Sequence, residues 1–448
     1  MSQTEVQFHD LRDSAEIPSR LFARTEADLT PFIDKVRPII EAVGRDGDAA
    51  LIDCARRFDG VTVDHFDIRA SEAEFVAAFE ALDDDVIEAI RFAADNIRRF
   101  HETQKPRAMW WQEMSPGVMA GERHVPIDAV ACYVPRGKGS FPSVVLMTAI
   151  PAVVAGVPRP IIITPPGPDG QVDAATLVAA REVGIADVYK CGGAQGVAAV
   201  AYGTETVPRC DKIVGPGSPW AVAAKRLLRD SIDPGIPAGP SECVILADDS
   251  ADGALAALDL TIESEHGPDS SAYLVTDSER VAREAREALP GHWAAMGEQR
   301  AGFSKAVLGG DHGGIVLTRD FEAALAFVNG YGPEHLEVLT RDPMATLSHI
   351  RHAGEVLLGP RTPVTIGNFV LGPNAVLPTN GAARVTSPLS VDDYMKRMSV
   401  GYVSAEGYAH LAGPAATLAR YEGFDAHERA VSHVRDELLA QSCQGAHS

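Results

Sequence analysis

Short apolar runs bounded by glycine or proline alternate with helical stretches in the middle of the chain. The runs are AVACYVP (129–135), PIIITPP (160–166), DVYKCGG (187–193) and DKIVGPG (211–217), and helical patterns cover 143–156, 173–183 and 194–203. Runs of this length between turn residues are typical of strands. Strands that alternate with helices favour βαβ units with right-handed crossovers, and therefore a parallel sheet.

A second α/β set follows the first. ECVILADD (242–249) and SAYLVTD (271–277) are strand-like and are separated by a helical pattern over 250–266, and the set continues through IVLT and a helix over 320–330. Residues 30–105 show helical spacing, which begins at Thr30-Pro31 and ends before Pro106. The tail from about residue 392 reads as helical and polar, with no sheet signal.

These patterns predict an α/β fold. It has two incomplete Rossmann-like domains with parallel sheets, plus an N-terminal arm and a small helical C-terminal tail domain. The predicted bounds are 1–24 for the arm, 25–125 together with 241–390 for one α/β domain, 126–240 for the other, and 391–448 for the tail.

The net charge and the cysteine pattern limit the kinds of partner and the cell compartment that the sequence allows. Forty basic residues against 62 acidic residues give a formal charge of −22, which argues against nucleic acid or an anionic membrane as a partner. A small anionic substrate stays compatible, since a local basic pocket can override the global field. The six cysteines are scattered without a CxxC pair, and the polar N-terminus lacks a signal-peptide pattern. We therefore predict a cytoplasmic protein with buried thiols.

Three glycine-rich loops follow strands of the first set. They are YVPRGKGS (133–140), CGGAQG (191–196) and VGPGSPW (214–220), and each precedes a helix whose N-terminus favours anions. The chain has no GxGxxG, and RGKGS is not a P-loop because Cys132 stands where the first glycine belongs. A single loop of this kind is more often a tight βα turn. Three on one predicted sheet edge indicate a dinucleotide site.

Glu263 and His266 are three residues apart at the end of a predicted helix that Gly267-Pro268 closes. That spacing places both side chains on one helix face, and the two ligand types suit zinc or a similar divalent metal. The alternative is a surface pair near a helix C-terminus, which is the more common meaning of the spacing alone.

Glu334 and His335 follow Gly332-Pro333, and we expect them to open a helix or a turn. From such a position both side chains can reach a substrate, and the imidazole can transfer protons. The alternative is an exposed, unremarkable Glu-His pair.

Several segments together resemble the histidinol dehydrogenase family, over residues about 30 to 435. The motifs are YVP…FPSVVLM, GGAQGVAAVAYGTETVP, DKIVGPG, AGPSE, ESEHGPDS, GPEHLE, LGPNAVLPTNG and EGFDAHERAV. The resemblance implies an enzyme that oxidises a primary alcohol to a carboxylic acid in two NAD-dependent steps. It also implies a zinc ion that holds the substrate and an intertwined homodimer in which each site borrows residues from its partner.

The resemblance also assigns roles to individual positions. NAD would contact Tyr133 and Gln195, and the substrate would contact Ser241 and Glu422. Glu334 and His335 would form the catalytic pair. The zinc ligands would be Glu263, His266, Asn368 and His427.

Two of these ligands depart from the family pattern. The family has Gln where this chain has Glu263, and it has Asp in a GDY motif where this chain has Asn368. Gln with Asp and Glu with Asn each supply one negative charge, so the exchange preserves the charge that largely controls metal affinity. We therefore expect a metal at this site.

Other departures concern the substrate. The family's GTNH motif is Gly372-Pro373-Asn374-Ala375, which lacks the pocket histidine, and Arg136 replaces a glycine of the YVPGG loop. Ser218 takes the last position of the family's GPGN motif, where we expect it to contact the cofactor. These changes argue against histidinol, and the chain most resembles the sulfopropanediol 3-dehydrogenase branch. We expect an anionic substrate held by Arg136, with further basic candidates in Arg384, Lys396 and Arg397.

Four functions fit the sequence to different degrees. The first is NAD- and zinc-dependent oxidation of a small anionic alcohol, with sulfopropanediol to sulfolactate as the expected reaction. The second is histidinol dehydrogenase itself. The third is a zinc hydrolase in which Glu334 acts on metal-held water, and the fourth is a non-catalytic paralogue, which intact His335, His266 and His427 disfavour.

Overall fold

The structure is a computed structural model that describes residues 5–14, 16–24, 29–136 and 139–445. Its strands are β1 Phe8–Asp10, β2 Met109–Ser115, β3 Val118–Pro126, β4 Ala129–Tyr133, β5 Arg159–Thr164, β6 Val188–Lys190, β7 Lys212–Val214, β8 Glu242–Ala247, β9 Ser271–Thr276, β10 Gly313–Leu317, β11 His335–Leu339, β12 Glu355–Leu358 and β13 Met395–Val403.

Helices fill most of the segments between these strands. They are α1 Thr30–Asp46, α2 Asp48–Phe58, α3 Glu72–Ala81, α4 Asp84–Gln104, α5 Pro142–Ala155, α6 Ala174–Glu182, α7 Gly193–Tyr202, α8 Pro219–Leu227, α9 Gly253–Ser264, α10 Glu279–Ala295, α11 Glu298–Leu308, α12 Phe321–Tyr331, α13 Pro343–Leu347, α14 Val364–Phe369, α15 Ala405–Tyr421, α16 Asp425–Ala430 and α17 His433–Gly445. Short 3-10 turns span Ser19–Phe22, Ala382–Arg384 and Val391–Tyr394. No helix among the described residues is long and apolar enough to cross a membrane.

The chain forms two compact units. The first comprises residues 1–105 and 126–394, and the second comprises 106–125 and 395–448. Both parallel sheets belong to the first unit, which confirms the predicted α/β fold class.

The first parallel sheet has the strand order β6-β5-β4-β7. Numbered along the chain, this is 3-2-1-4, the order that begins a doubly wound dinucleotide-binding sheet. The predicted strands and helices of 129–214 are confirmed, and β4 is buried along its whole length because helices cover both faces. The switch in strand order falls between β4 and β7, where such sheets open a crevice at their carboxyl ends.

The second parallel sheet has the order β1-β10-β9-β8-β11-β12. Strands β8 to β12 repeat the 3-2-1-4 arrangement with one strand added. Alternate residues of β8 enter different cores, Cys243 and Ile245 on the side of α9 and Val244 on the side of α12. The N-terminal arm is part of this sheet, since β1 pairs in parallel with β10.

The second unit corrects one expectation from the sequence. Its tail is not purely helical, because it begins with β13, and the sheet order β13-β3-β2 joins that strand to an antiparallel hairpin. These strands have few buried residues, so no buried face produces the apolar alternation by which a strand is recognised. Helices α15, α16 and α17 complete the unit.

Candidate active site

The residues predicted to contact a nucleotide lie at the carboxyl edge of the first sheet. Tyr133 is the last residue of β4, and Ser218 is the exposed N-cap of α8, which follows β7. Gln195 lies in the first turn of α7, which follows β6. The fold therefore brings the three predicted loops together on one edge at the switch in strand order, as the sequence predicts.

Hydrogen bonds fix the side chains at this edge. The Gly193 amide donates to the Tyr133 hydroxyl at 3.0 Å, and Gln195 Nε2 donates to Asp59 Oδ2 at 3.3 Å. Burial raises the pKa of Asp59 to about 6, although the Gln195 hydrogen bond and the charge of Arg136 act in the opposite direction. Asp59 was not predicted as part of this edge. The exposed Arg136 also donates to the Gln171 carbonyl at 3.4 Å, so it lies on the nucleotide side of the molecule.

A second group of functional side chains lies at the amino ends of β8, β11 and β12. The expectation that Glu334 and His335 open a helix or turn is wrong, because His335 is the first residue of β11. Gly332 ends α12 in the left-handed conformation at φ 63°, so the Gly-Pro step closes the preceding helix rather than opening a new one.

The catalytic pair is buried and surrounded by carboxylates. His335 Nε2 lies 4.0 Å from Glu334 Oε1, and its Nδ1 lies 3.1 Å from Glu355 Oε2. The backbone amide of Glu242 donates to Glu334 Oε2 at 2.8 Å. These contacts hold the imidazole between two carboxylates.

Burial and charge shift both members of the pair toward the protonated form. Burial alone would lower the pKa of His335, but the Glu355 hydrogen bond and the charges of Glu334, Glu263 and Glu355 raise it to about 9. Burial is the main reason that the pKa of Glu334 is raised to about 8, and the charge of Glu263 adds to it. Both groups therefore become better proton acceptors as the pH rises toward these values.

Three of the four predicted metal ligands gather on one side of this pair. Glu263 is fully buried in the last turn of α9, and its Oε2 lies 3.4 Å from His266 Nδ1. Asn368 on α14 donates from Nδ2 to Glu263 Oε1 at 2.8 Å. His266 Nδ1 lies 3.2 Å from the Ile262 carbonyl, and donation there leaves Nε2 with a lone pair.

The Glu263 carboxylate gives a test of whether a cation fits here. Its Oε2 is buried and has no hydrogen-bond partner among the described residues. Burial opposes its ionisation, yet the charges of His266 and His335 and the hydrogen bonds from Asn368 and Ser241 lower its pKa. A buried, ionised oxygen without a partner, close to a histidine whose Nε2 keeps its lone pair, is suited to a divalent metal. No group of three or more His, Cys, Asp or Glu side chains that could hold a metal occurs in the described part of the chain, so the third ligand would be the Asn368 amide.

The remaining predicted site residues lie in the second unit. His427 is on α16 and Glu422 caps the end of α15, and both are exposed there. The His427 ring lies 5.0 Å from the Phe424 ring, measured between centroids. Lys396 and Arg397 are on the exposed strand β13 of the same unit.

Arg384 stabilises the end of a helix, a role that the sequence does not show. Its Nη2 donates to the carbonyls of Asn329 and Gly330 in the last turn of α12. Cations in this position stabilise the end of a helix. Arg384 therefore caps the end of α12, and substrate binding by this residue stays a prediction.

Sequence reasoning missed a set of buried carboxylates around the catalytic pair. All of them are at most 9% exposed, and they are Glu242, Asp259, Glu337 and Glu355. Glu242 pairs with Arg24 at 2.6 Å, and Glu337 accepts from the Val364 amide at 2.5 Å. The signal for the three glutamates was present in ECVILA, HLEVL and EVLL, where a carboxylate inside an apolar strand must be buried and therefore needs partners. Asp259 lies on α9 instead.

Comparisons with known proteins identify the family of this chain. The family model described as "Histidinol dehydrogenase" matches residues 22–435. A protein of Mesorhizobium japonicum named "Histidinol dehydrogenase homolog 2" is 61% identical over 98% of this chain and 100% of its own length. The "Histidinol dehydrogenase" of Synechocystis is 45% identical over 94% of this chain and 96% of its own length. The crystal structure of histidinol dehydrogenase from Elizabethkingia anophelis superposes with a TM-score of 0.90 at 31% identity, covering 97% of this chain and 99% of that chain.

Proposed function

Because this chain belongs to the histidinol dehydrogenase family, we propose that it oxidises a primary alcohol to a carboxylate in two NAD-dependent hydride transfers. The observation that carries the proposal is the buried Glu334–His335 pair beside a carboxylate, Glu263, that has an unpartnered oxygen. A proton acceptor next to a candidate metal ligand is what alcohol oxidation requires.

The carboxyl edge of the first sheet would hold NAD. Tyr133, Gln195 and Ser218 stand on the three loops that border this edge, and the amino ends of α7 and α8 point backbone amides toward it. Tyr133 is buried at this edge, and its hydroxyl accepts a hydrogen bond from the Gly193 amide.

Zinc would be held by Glu263, His266, Asn368 and His427. When bound, it would polarise the oxygen of the substrate and make that oxygen more acidic. His427 belongs to the second unit, and we propose that it and Glu422 serve the site of a partner subunit in an intertwined homodimer.

The exposed apolar surface of the second unit supports that assembly. Its large exposed side chains include Trp110, Trp111, Met114, Tyr402 and Leu418. Contiguous apolar groups of this kind typically mark protein–protein contacts.

Two groups of this chain would move the protons. His335 would accept the hydroxyl proton of the alcohol as hydride leaves its carbon. Glu334 would accept a proton from water as that water adds to the aldehyde. The product of this addition is the aldehyde hydrate, which then loses the second hydride to NAD. The amide of Glu242 holds one oxygen of Glu334, so the other oxygen is directed toward His335.

The proposed substrate is 2,3-dihydroxypropane-1-sulfonate, which would become sulfolactate. Relatives at 57–61% identity carry names that contain the word "homolog", whereas relatives named histidinol dehydrogenase without that word share 39–45%. Ala375 replaces the histidine of the family motif, which removes a partner for an imidazole substrate. Arg136, Lys396 and Arg397 are the cations that could pair with a sulfonate.

A coupled NADH assay on the full-length, zinc-loaded protein tests the substrate. The panel contains the sulfonated diol, histidinol and glycerol. The sulfonated diol should give the highest kcat/KM, and glycerol should be poor, because a site built for an anion leaves its cations unpaired without one. A higher kcat/KM for histidinol would make this chain a histidinol dehydrogenase. Absence of NAD binding would favour the zinc hydrolase instead.

Complementation tests the shared site. His335→Ala and His427→Ala should each be inactive as homodimers. Co-expressed as heterodimers they should regain activity, because one of the two sites then has both histidines. Heterodimers that form but stay inactive would place His335 and His427 in the site of one subunit.

A further inference from the structure

Glu355 and His335 are register partners at the start of neighbouring parallel strands. β11 begins at His335 and β12 at Glu355, and the two residues lie side by side in the sheet. Register partners in a parallel pair point to the same face, which here is the face covered by α9 and α14. The result is the 3.1 Å contact between Glu355 Oε2 and His335 Nδ1.

The contact with His335 is the main polar interaction of the Glu355 carboxylate among the described residues. The residue is 9% exposed, and its Oε1 has no hydrogen-bond partner in the described ranges. A β-carbon on Gly367 would lie 2.8 Å from Oε2, so the glycine provides the space that the carboxylate occupies. A buried carboxylate with a single side-chain partner needs that partner to be a good donor.

We infer that Glu355 is a positioning residue for His335. Its carboxylate accepts the Nδ1–H, which directs the ring so that Nε2 faces Glu334 and the substrate side of the pair. A neutral imidazole carries one proton, so binding it at Nδ1 leaves the lone pair on Nε2. The same carboxylate stabilises the imidazolium that forms when Nε2 takes a proton, as orienting carboxylates do in other active sites.

This inference deepens the proposed function and rests on His335 acting as the base. A purely structural alternative exists, since the contact also joins β11 to β12 near the edge of the sheet. Under that alternative, removal of Glu355 would lower stability and affect all steps through misfolding. The two roles differ in whether the effect passes through His335.

A double-mutant cycle on the zinc-loaded, full-length enzyme separates them. Glu355→Ala should lower kcat about 10- to 100-fold while KM for NAD stays within about twofold, the range typical for loss of an outer-shell partner. In a His335→Ala background the same change should have no further effect on kcat. Glu355→Asp should recover part of the rate. Additive losses would overturn the inference.

Two controls keep the test decisive. Glu337→Gln removes another buried carboxylate on the same strand face that does not hydrogen-bond His335, so it should lower the melting temperature without the selective loss of kcat. Glu355→Gln keeps the volume if Glu355→Ala does not fold, and it should retain the hydrogen bond but not the charge, which gives an intermediate kcat.

A spectroscopic readout is independent of activity. In protein labelled with 15N-histidine, His335 should show a downfield, slowly exchanging Nδ1–H resonance that persists in Glu355→Asp and disappears in Glu355→Ala. If the wild type oxidises no alcohol, the proposed function fails while this resonance still reports the Glu355–His335 contact. If the wild type is active but the resonance and kcat survive Glu355→Ala, only the positioning role fails.

Discussion

Asn368 donates a 2.8 Å hydrogen bond from Nδ2 to Glu263 Oε1, so the two positions at which this chain departs from the family's metal ligands contact each other. The resemblance gives Gln and Asp at these positions. In this chain the amide of Asn368 donates to the carboxylate of Glu263. The family's Gln and Asp also offer one amide and one carboxylate, so we infer that the two departures are one coupled change that preserves the charge and allows the same type of hydrogen bond.

Exchange of the two residues should be tolerated although each single change is not. Glu263→Gln leaves two amides and no carboxylate, and Asn368→Asp places two carboxylates in contact at a buried site. Each should weaken metal retention at least about tenfold. The double variant Glu263→Gln/Asn368→Asp should restore one metal per subunit by elemental analysis after dialysis against a chelator. A double variant that retains less metal than either single variant would contradict the coupling.

The two histidine ligands should each be required for the metal. His266→Ala and His427→Ala remove neutral nitrogen donors, so both should lose zinc and NADH formation. His65→Ala is the matched control, since the His65 side chain is 86% exposed and far along the chain from these segments. Full metal content in both ligand variants by elemental analysis would refute the assignment.

Glu334 and His335 should affect different stages of the reaction. Glu334→Gln keeps the shape of the residue but cannot accept a proton from water, so it should mainly slow aldehyde to acid. His335→Ala should slow both stages. Single-turnover measurements with the alcohol and with the aldehyde separate the stages, and equal losses in both stages for Glu334→Gln would remove its separate role.

Stability should fall as pH rises because of a buried acid pair. Asp259 on α9 and Glu337 on β11 are both buried carboxyl groups that interact with one another. Burial raises the pKa of Asp259 from 3.8 to about 6, although the interaction with Glu337 and the charge of His292 act in the opposite direction. Burial and the charge of Asp259 also raise the pKa of Glu337, which His335 opposes. A folded-state pKa above the unfolded value contributes stability at low pH that is lost as pH rises through the folded pKa.

Denaturant unfolding at several pH values measures this effect. Because the pKa of Asp259 is raised from 3.8 to about 6, its contribution to the unfolding free energy should be present at low pH and lost between about pH 4 and pH 7. Asp259→Asn cannot ionise and should lose less stability over that range than the wild type. Parallel pH profiles for the two proteins would show that the pair does not titrate.

Both parallel sheets were predictable because their strands are continuous apolar runs between turn residues. The antiparallel sheet of the second unit was not, since β13 is MKRMSVGYV and has no buried residue to mark a face. An N-terminal arm was predicted, but only the structure shows that Phe8 pairs with Ile315.

The candidate site was predictable where residues carry motifs and was missed where residues depend on register. Glu334, His335, Glu263 and His266 were found because carboxylate and imidazole stand close in sequence. Glu355 lies 20 positions from His335, and only the pairing of β11 with β12 places it at the imidazole. The alternation of residues within one strand does not show which residue of the neighbouring strand lies beside it.

The NADH yield from a limiting amount of the sulfonated diol tests the central claim most directly, because a four-electron oxidation at one site must reduce two NAD per alcohol. With excess NAD and zinc-loaded protein, we predict two NADH for each diol consumed, with the carboxylate as product and no free aldehyde. One NADH per diol with aldehyde released into solution would contradict the account.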